Sequence, residues 1–132
     1  MNLISRWLWP RTPRSEALSL YKEGMACAET KDARGAMNAY SSAIDRADAP
    51  EDVRAMALYN RALLFAAEGN TTKALTDLRA VIEMPVSVRD VKLAARRRLE
   101  RLKQRLKAAA RADRRTISDD MPSAAGTIHP ED

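Results

Sequence analysis

The sequence predicts an all-α fold made of repeated helical hairpins, and three observations support this class. Apolar residues between positions 53 and 85 recur at intervals of three and four, the spacing of amphipathic helices. The same pattern occurs 38 residues earlier, and no alternating strand pattern of useful length is present. Six identical pairs match after this shift: Ala17 and Ala55, Leu20 and Leu58, Tyr21 and Tyr59, Ala28 and Ala66, Ala36 and Ala74, Ile44 and Ile82.

The first hairpin is expected over about residues 15–48. Ser15 is the predicted N-cap of its first helix, which should extend to about Thr30. The second helix is predicted from about Asp32 to Arg46. An acidic connection then leads to the next helix, where Asp and Glu favour an N-terminus.

The second hairpin is expected over about residues 53–85. A break at 68–71 separates its two helices. Asn70 or Thr71 is the predicted cap of the second helix, and Pro85 is its predicted stop.

Several positions have the residue types that closely packed hairpins need. Small residues allow two backbones to approach, and a large side chain one turn later fills the space beside them. The positions concerned are Gly24, Ala62, Gly69, Ala36, Ala74, Tyr40 and Leu78. Over about residues 15–85 the chain therefore resembles the tetratricopeptide repeat family, whose hairpins repeat at about 34 residues. It departs from the family pattern where Leu20 and Leu58 replace a tryptophan and Lys31 replaces the turn glycine of the first copy.

The resemblance implies an α-α superhelix whose first helices line a concave groove that holds an extended peptide or a partner helix. The matching groove positions are Leu18, Tyr21, Lys22, Met25, Met56, Tyr59, Asn60, Leu63, Lys92 and Arg96. For Tyr21 and Tyr59, packing between hairpins is the alternative to ligand contact, because a tyrosine can do both.

The run YNRALLF at 59–65 is similar to part of the subfamily that binds chaperone tails. In that subfamily an asparagine matched by Asn60 helps to hold a C-terminal carboxylate. The subfamily's first-repeat lysine and asparagine fall on Tyr21 and Met25, which disfavours this ligand. Lys92 and Arg96 have the lysine-to-arginine spacing of the pair in the subfamily's third repeat. The alignment of this chain with that repeat is not defined by the sequence.

One long amphipathic helix is predicted after Pro85, over roughly 86–114. Its early part should cap the second hairpin, because a terminal hairpin of a repeat array cannot bury its apolar face alone. The apolar residues of 99–110 have no obvious internal partner. This stretch could fold back, form a homodimer through a short coiled coil, or stay solvated.

The charge distribution singles out the same helix. Residues 86–115 contain 12 basic and three acidic residues, whereas 116–132 contain four acids and no lysine or arginine. A solvated helix face and an anion-binding face are both consistent with this pattern. Nucleic acid, an anionic membrane surface or an acidic protein would fit the second interpretation, with these candidates: Arg97, Arg98, Arg101 and Arg105. The acidic segment 116–132 is predicted to be disordered.

The N-terminal extension, residues 1–14, is apolar and basic. Arg6 interrupts its apolar run, so a secretory signal is not expected and the cytoplasm is the predicted compartment. Trp7 and Trp9 could contact a membrane surface, pack against the helices or dock a partner. Pro10 and Pro13 predict an extended linker to the first hairpin.

The residue types of catalytic and metal sites are scarce. The chain has one cysteine, Cys27, and one histidine, His129, far apart in sequence. No glycine-rich phosphate loop or nucleophile–base pair is recognisable, so we expect neither enzyme activity nor a cofactor. The predicted function is that of a small adaptor or scaffold that binds a protein or peptide, with an anion-binding helix as the alternative.

Overall fold

The chain folds into α-helices. A computed structural model describes residues 10–85 and 88–121, and within these ranges there are five helices and no strand. The prediction of an all-α fold is confirmed. The helices are α1 (Pro13–Glu29), α2 (Ala33–Asp45), α3 (Glu51–Ala67), α4 (Thr71–Glu83) and α5 (Arg89–Asp120).

The first four helices form two hairpins with the same internal spacing. Helix α3 begins and ends 38 residues after α1, and α4 begins and ends 38 residues after α2. The two helices of each hairpin pack against each other, and α2 also packs against α3. The internal repeat that the sequence predicts is therefore present in the backbone.

The start of α1 differs from the prediction. Thr12 is the N-cap: its Oγ1 accepts a hydrogen bond from the Ser15 amide at 3.1 Å, and Ser15 Oγ accepts one from the Thr12 amide at 2.9 Å. Ser15 is thus the fourth residue of a capping box, not the cap. Pro13 opens the helix instead of extending the linker, because the first helical position needs no amide hydrogen.

The turns inside the two hairpins use the same hydrogen bonds. The Asp32 amide donates to Cys27 O and the Asn70 amide to Phe65 O, both at 2.8 Å. This pattern needs a left-handed residue just after the helix, and the positions are Lys31, with φ of 64°, and Gly69, with φ of 80°. Asn70, one of the two predicted caps, then caps α4 through its side chain.

The helices of each hairpin cross at a small residue. Gly24 is buried against Tyr40, and a Cβ at Gly24 would lie 2.6 Å from the Tyr40 ring atom Cδ1. In the second hairpin the equivalent residues, Ala62 and Leu78, are both buried.

Helix α5 packs against α4 and α3 through Ala95, Leu99 and Leu102, and its N-cap residue Val88 joins the same core cluster. It ends at Asp120, so residues 116–120 are helical and the predicted disorder of 116–132 is wrong for this part. The remainder of the tail and the segment with Trp7 and Trp9 lie outside the described residues. No helix in the described ranges is long and apolar enough to cross a bilayer.

Candidate ligand groove and basic helix face

A groove lies between the first helices of the repeats, α1 and α3, and the early part of α5. Helix α3 contacts both α1 and α5. At its centre is a cavity of about 350 Å³, whose lining residues are Tyr21, Met56, Tyr59, Asn60, Asp90, Val91 and Ala94. Four of the ten residues predicted for the groove therefore meet around one cavity.

The groove continues toward the N-terminal ends of α3 and α5. A second depression of about 220 Å³ shares Met56, Asp90 and Val91 with the first. Its other lining residues are Asp52, Val88 and Arg89. Met56 and Val91 thus contribute apolar surface to both depressions, an arrangement that suits two neighbouring side chains of one ligand.

Tyr21 both packs and lines the groove. Its hydroxyl accepts a hydrogen bond from Asn60 Nδ2 at 2.9 Å, which ties α1 to α3. Its ring centroid lies 5.9 Å from that of Tyr40 in α2. The two interpretations of this tyrosine, packing between hairpins and exposure to a ligand, are therefore compatible. Tyr59 is also half-buried, packing against the core while it lines the cavity.

The remaining predicted residues of α1 and α3 do not line the cavity. Leu18 is half-buried against the cluster of Ala17, Ala49 and Val53. Lys22 and Met25 are exposed on α1, and Leu63 is half-buried on α3.

The structure places Lys92 and Arg96 outside this cavity. They lie together with Arg89 and Leu93 on another side of α5. The reason is the register of this helix: Ala95, Leu99 and Leu102 turn toward the core, which directs Val91 and Ala94 into the groove. This corrects the expectation that Lys92 and Arg96 complete the groove.

The sequence interpretation missed Asp90, Val91 and Ala94. A second application of the 38-residue shift would have found Ala94, because it carries the groove position Met56 onto it. It would not have found Asp90 and Val91, because they correspond to Asp52 and to the buried Val53, neither of which was a predicted groove residue. The Asp90 carboxylate disfavours a ligand carboxylate at this point of the groove, since like charges repel. Together with the use of the Asn60 amide by Tyr21, this argues against a chaperone-tail type of ligand.

The four candidate arginines lie on the side of α5 that continues the groove. Arg98, Arg101 and Arg105 follow Ala94 at intervals of four, three and four, and Arg97 adjoins them. Arg97, Arg101 and Arg105 are exposed. Arg98 is half-buried, and its Nε is buried without a hydrogen-bond partner. Within 10–85 and 88–121 none of the four forms a salt bridge, and the nearby Glu100 pairs with Lys103.

Other reactive groups do not assemble into a site. Among the residues that the structure describes, no three His, Cys, Asp or Glu side chains could share a metal ion. Burial, together with the carboxylates of Asp32 and Glu23, raises the pKa of the Cys27 thiol. A raised pKa keeps this sulfur protonated near neutral pH, where it is a poor nucleophile.

No family model, curated protein or solved structure matches this chain.

Proposed function

We propose that this chain is a non-catalytic protein–protein interaction module of the tetratricopeptide repeat type, a small adaptor or scaffold with the cytoplasm as its expected compartment. The observation that supports it best is the groove at Tyr21, Met56, Tyr59 and Val91. Two consecutive hairpins and a capping helix form this groove, and the described residues that line it include no catalytic constellation.

The groove suits a ligand with bulky apolar side chains. Its lining includes two tyrosine rings and the Met56 side chain, together with the polar side chains of Asn60 and Asp90. Tyrosine and methionine are enriched at protein–protein interfaces relative to the rest of a protein surface. The Tyr21–Asn60 hydrogen bond holds these groups in place before binding, which lowers the entropic cost of association.

The size of the groove indicates how tightly one anchor would bind. Burial of a single Leu- or Phe-sized side chain contributes about 1.5–3 kcal/mol. This is much less than the roughly 8 kcal/mol of a micromolar complex. A specific ligand therefore has to use both depressions and further contacts along α1 and α3, as an extended peptide or a partner helix would.

The proposal is tested by capture of partners from a cell extract on the immobilised full chain, with quantitative mass spectrometry. Tyr59→Ala combined with Asn60→Ala should reduce specific capture at least about tenfold, because it removes a groove wall and an interhelix hydrogen bond. Ala94→Trp should have the same effect by filling the cavity without removing a core side chain.

The matched control is Arg34→Ala combined with Asn38→Ala, two exposed positions on α2. It should capture the same partners as the unmodified chain. Circular dichroism must show unchanged helicity for all variants. Equal capture by the folded groove variants and the control would exclude the groove as the binding site.

A second candidate function uses the basic face of α5 to bind nucleic acid or an anionic membrane surface. Its support is the exposure of Arg97, Arg101 and Arg105 without salt bridges among the described residues. Such binding would weaken steeply with salt. Reversal of charge at Arg97, Arg98 and Arg101 would abolish it, whereas Tyr59→Ala combined with Asn60→Ala would leave it unchanged. No aromatic residue follows Phe65 in the sequence, so stacking on bases is not expected.

A further inference from the structure

The last part of α5 extends beyond the helices that cover its beginning. Leu102 is its last buried residue, and every residue from Gln104 to Met121 is exposed. We call residues 104–120 the arm. At 1.5 Å per residue it is roughly 25 Å long, about the length of five helical turns.

The arm carries an apolar stripe. Leu106, Ala109, Ala110 and Ile117 continue the spacing of the buried Leu99 and Leu102 along one side of the helix. Leu106 is 45% exposed and Ile117 is 62% exposed. Asp113 lies in the middle of the stripe, one turn from Ala109 and from Ile117.

Basic residues flank the stripe. At 100° per residue, Arg105 lies on one side of it and Arg114 on the other, whereas Arg111 and Arg115 lie on the opposite face of the helix. In the part of the chain that the structure describes, none of these four arginines forms a salt bridge. An apolar seam between cations is complementary to an amphipathic helix whose flanks are acidic.

We propose that the arm docks an acidic amphipathic helix of a partner protein. Apolar side chains of this helix cover Leu106 and Ile117, and its acidic flanks meet Arg105 and Arg114. A single basic residue lies opposite Asp113, since a carboxylate there would face another carboxylate. This site is distinct from the groove and does not depend on the groove's function.

Charge favours this occupant over a second copy of the chain or a nucleic acid. The arm contains five basic and three acidic residues, so two copies of the arm would bring like charges together. A nucleic acid would not cover the apolar stripe, and Asp113, Asp119 and Asp120 would repel its phosphates.

The test uses the full chain and a synthetic acidic helix of three heptads as the probe. The probe has Leu at the seam, Glu at the flanks and one Lys at the position opposite Asp113. Isothermal titration should detect saturable binding of the probe. It should detect at least about tenfold weaker binding of a scrambled peptide of identical composition, which has the charge without the seam.

Two charge reversals with equal net change separate docking from bulk attraction. Arg105→Glu with Arg114→Glu should weaken probe binding about tenfold, while Arg111→Glu with Arg115→Glu should weaken it less than about threefold. Leu106→Gln should weaken it at least about tenfold. Asp113→Lys should weaken binding of this probe and strengthen binding of a probe with Glu in place of its Lys.

Three results would overturn the proposal. The first is an equal loss of probe affinity in the two charge-reversal pairs. The second is binding of the scrambled peptide as tight as that of the probe. The third is a dimer in light scattering of the protein alone that Leu106→Gln converts to a monomer, which would assign the stripe to a second copy. Circular dichroism of each variant checks that α5 remains helical.

Discussion

The first and second hairpins have the same backbone plan and different interiors. Their helices, caps and turns match at a spacing of 38 residues. Gly24 and Tyr40 fill the crossing of the first hairpin, whereas Ala62 and Leu78 fill that of the second. One helix geometry is thus compatible with two combinations of small and large side chains, provided that each combination fills the available volume.

The largest difference is an ion pair that only the second hairpin has. Asp77 is 5% exposed and accepts hydrogen bonds from Arg61 Nε at 2.7 Å and Nη2 at 2.8 Å. Arg61 Nη1 also donates to Ser41 Oγ in α2 at 3.1 Å. The hydrogen bond with Asp77 raises the pKa of the Arg61 guanidinium, against the opposite effect of burial. Glu23 and Ala39 occupy the equivalent positions of the first hairpin.

The position of each hairpin in the array explains this difference. Helix α3 packs against the preceding α2, so its Ala57 is buried and its Arg61 can reach Ser41. Helix α1 has no described helix before it, and the matching Ser19 and Glu23 are exposed and polar. A helix face that no neighbouring hairpin covers is expected to be polar.

The ion pair gives the largest expected effect. Asp77→Ala should lower the free energy of unfolding by about 2–4 kcal/mol, because it leaves the partly buried Arg61 without its counter-charge. Urea denaturation followed by circular dichroism measures this. Asp77→Ala with Arg61→Leu should recover much of the loss, since no unpaired charge remains. Additive losses in the double variant would contradict the ion-pair explanation.

The second largest change in stability is expected at the crossing of the first hairpin. Gly24→Ala should lower the free energy of unfolding by about 1–3 kcal/mol, because the added methyl group would overlap the buried Tyr40 ring. Adding Tyr40→Leu reproduces the Ala62–Leu78 combination of the second hairpin. The double variant should be within about 1 kcal/mol of the unmodified chain. If Tyr40→Leu does not rescue Gly24→Ala, the two crossings are not interchangeable.

The smallest change in stability is expected at the hairpin turns, where a substitution can stabilise the protein. Lys31→Gly should raise the free energy of unfolding by up to about 1 kcal/mol, because glycine adopts positive φ without the steric cost that lysine has. The reciprocal Gly69→Lys should lower it by a similar amount. Thermal unfolding of both variants measures these changes. If Lys31→Gly destabilises the protein, the Lys31 side chain stabilises the fold by more than its positive φ destabilises it.

Local signals made the hairpins predictable from the sequence. Apolar spacing identified the helices, and Asn70 with Pro85 bounded α4, because capping and helix termination depend on a few neighbouring residues. The N-cap of α1 was harder, since Thr12 and Ser15 have the same hydrogen-bonding chemistry and both take part in the capping box. Nothing local indicated that α5 would continue through the acidic residues to Asp120.

The groove was only partly predictable. Tyr21, Met56, Tyr59 and Asn60 were identified because the two hairpins share a register. The contribution of α5 was not, because Lys92 and Arg96 lie one turn apart and indicate a common face without indicating which way it points. The packing of Ala95 and Leu99 on the core decides that direction, and it brings Asp90 and Ala94 to the groove instead.

The sequence by itself determined the helices, their repeat and the small residues at the crossings, because these follow from spacing and from side-chain size. The tertiary structure decided the rotation of α5, the four groove residues that meet at one cavity, and the exposure of the arm beyond Leu102. These features depend on how far α4 extends along α5 and on which side of α5 it covers. Such contacts join residues distant in the chain, and the periodicity of a single helix contains no information about them.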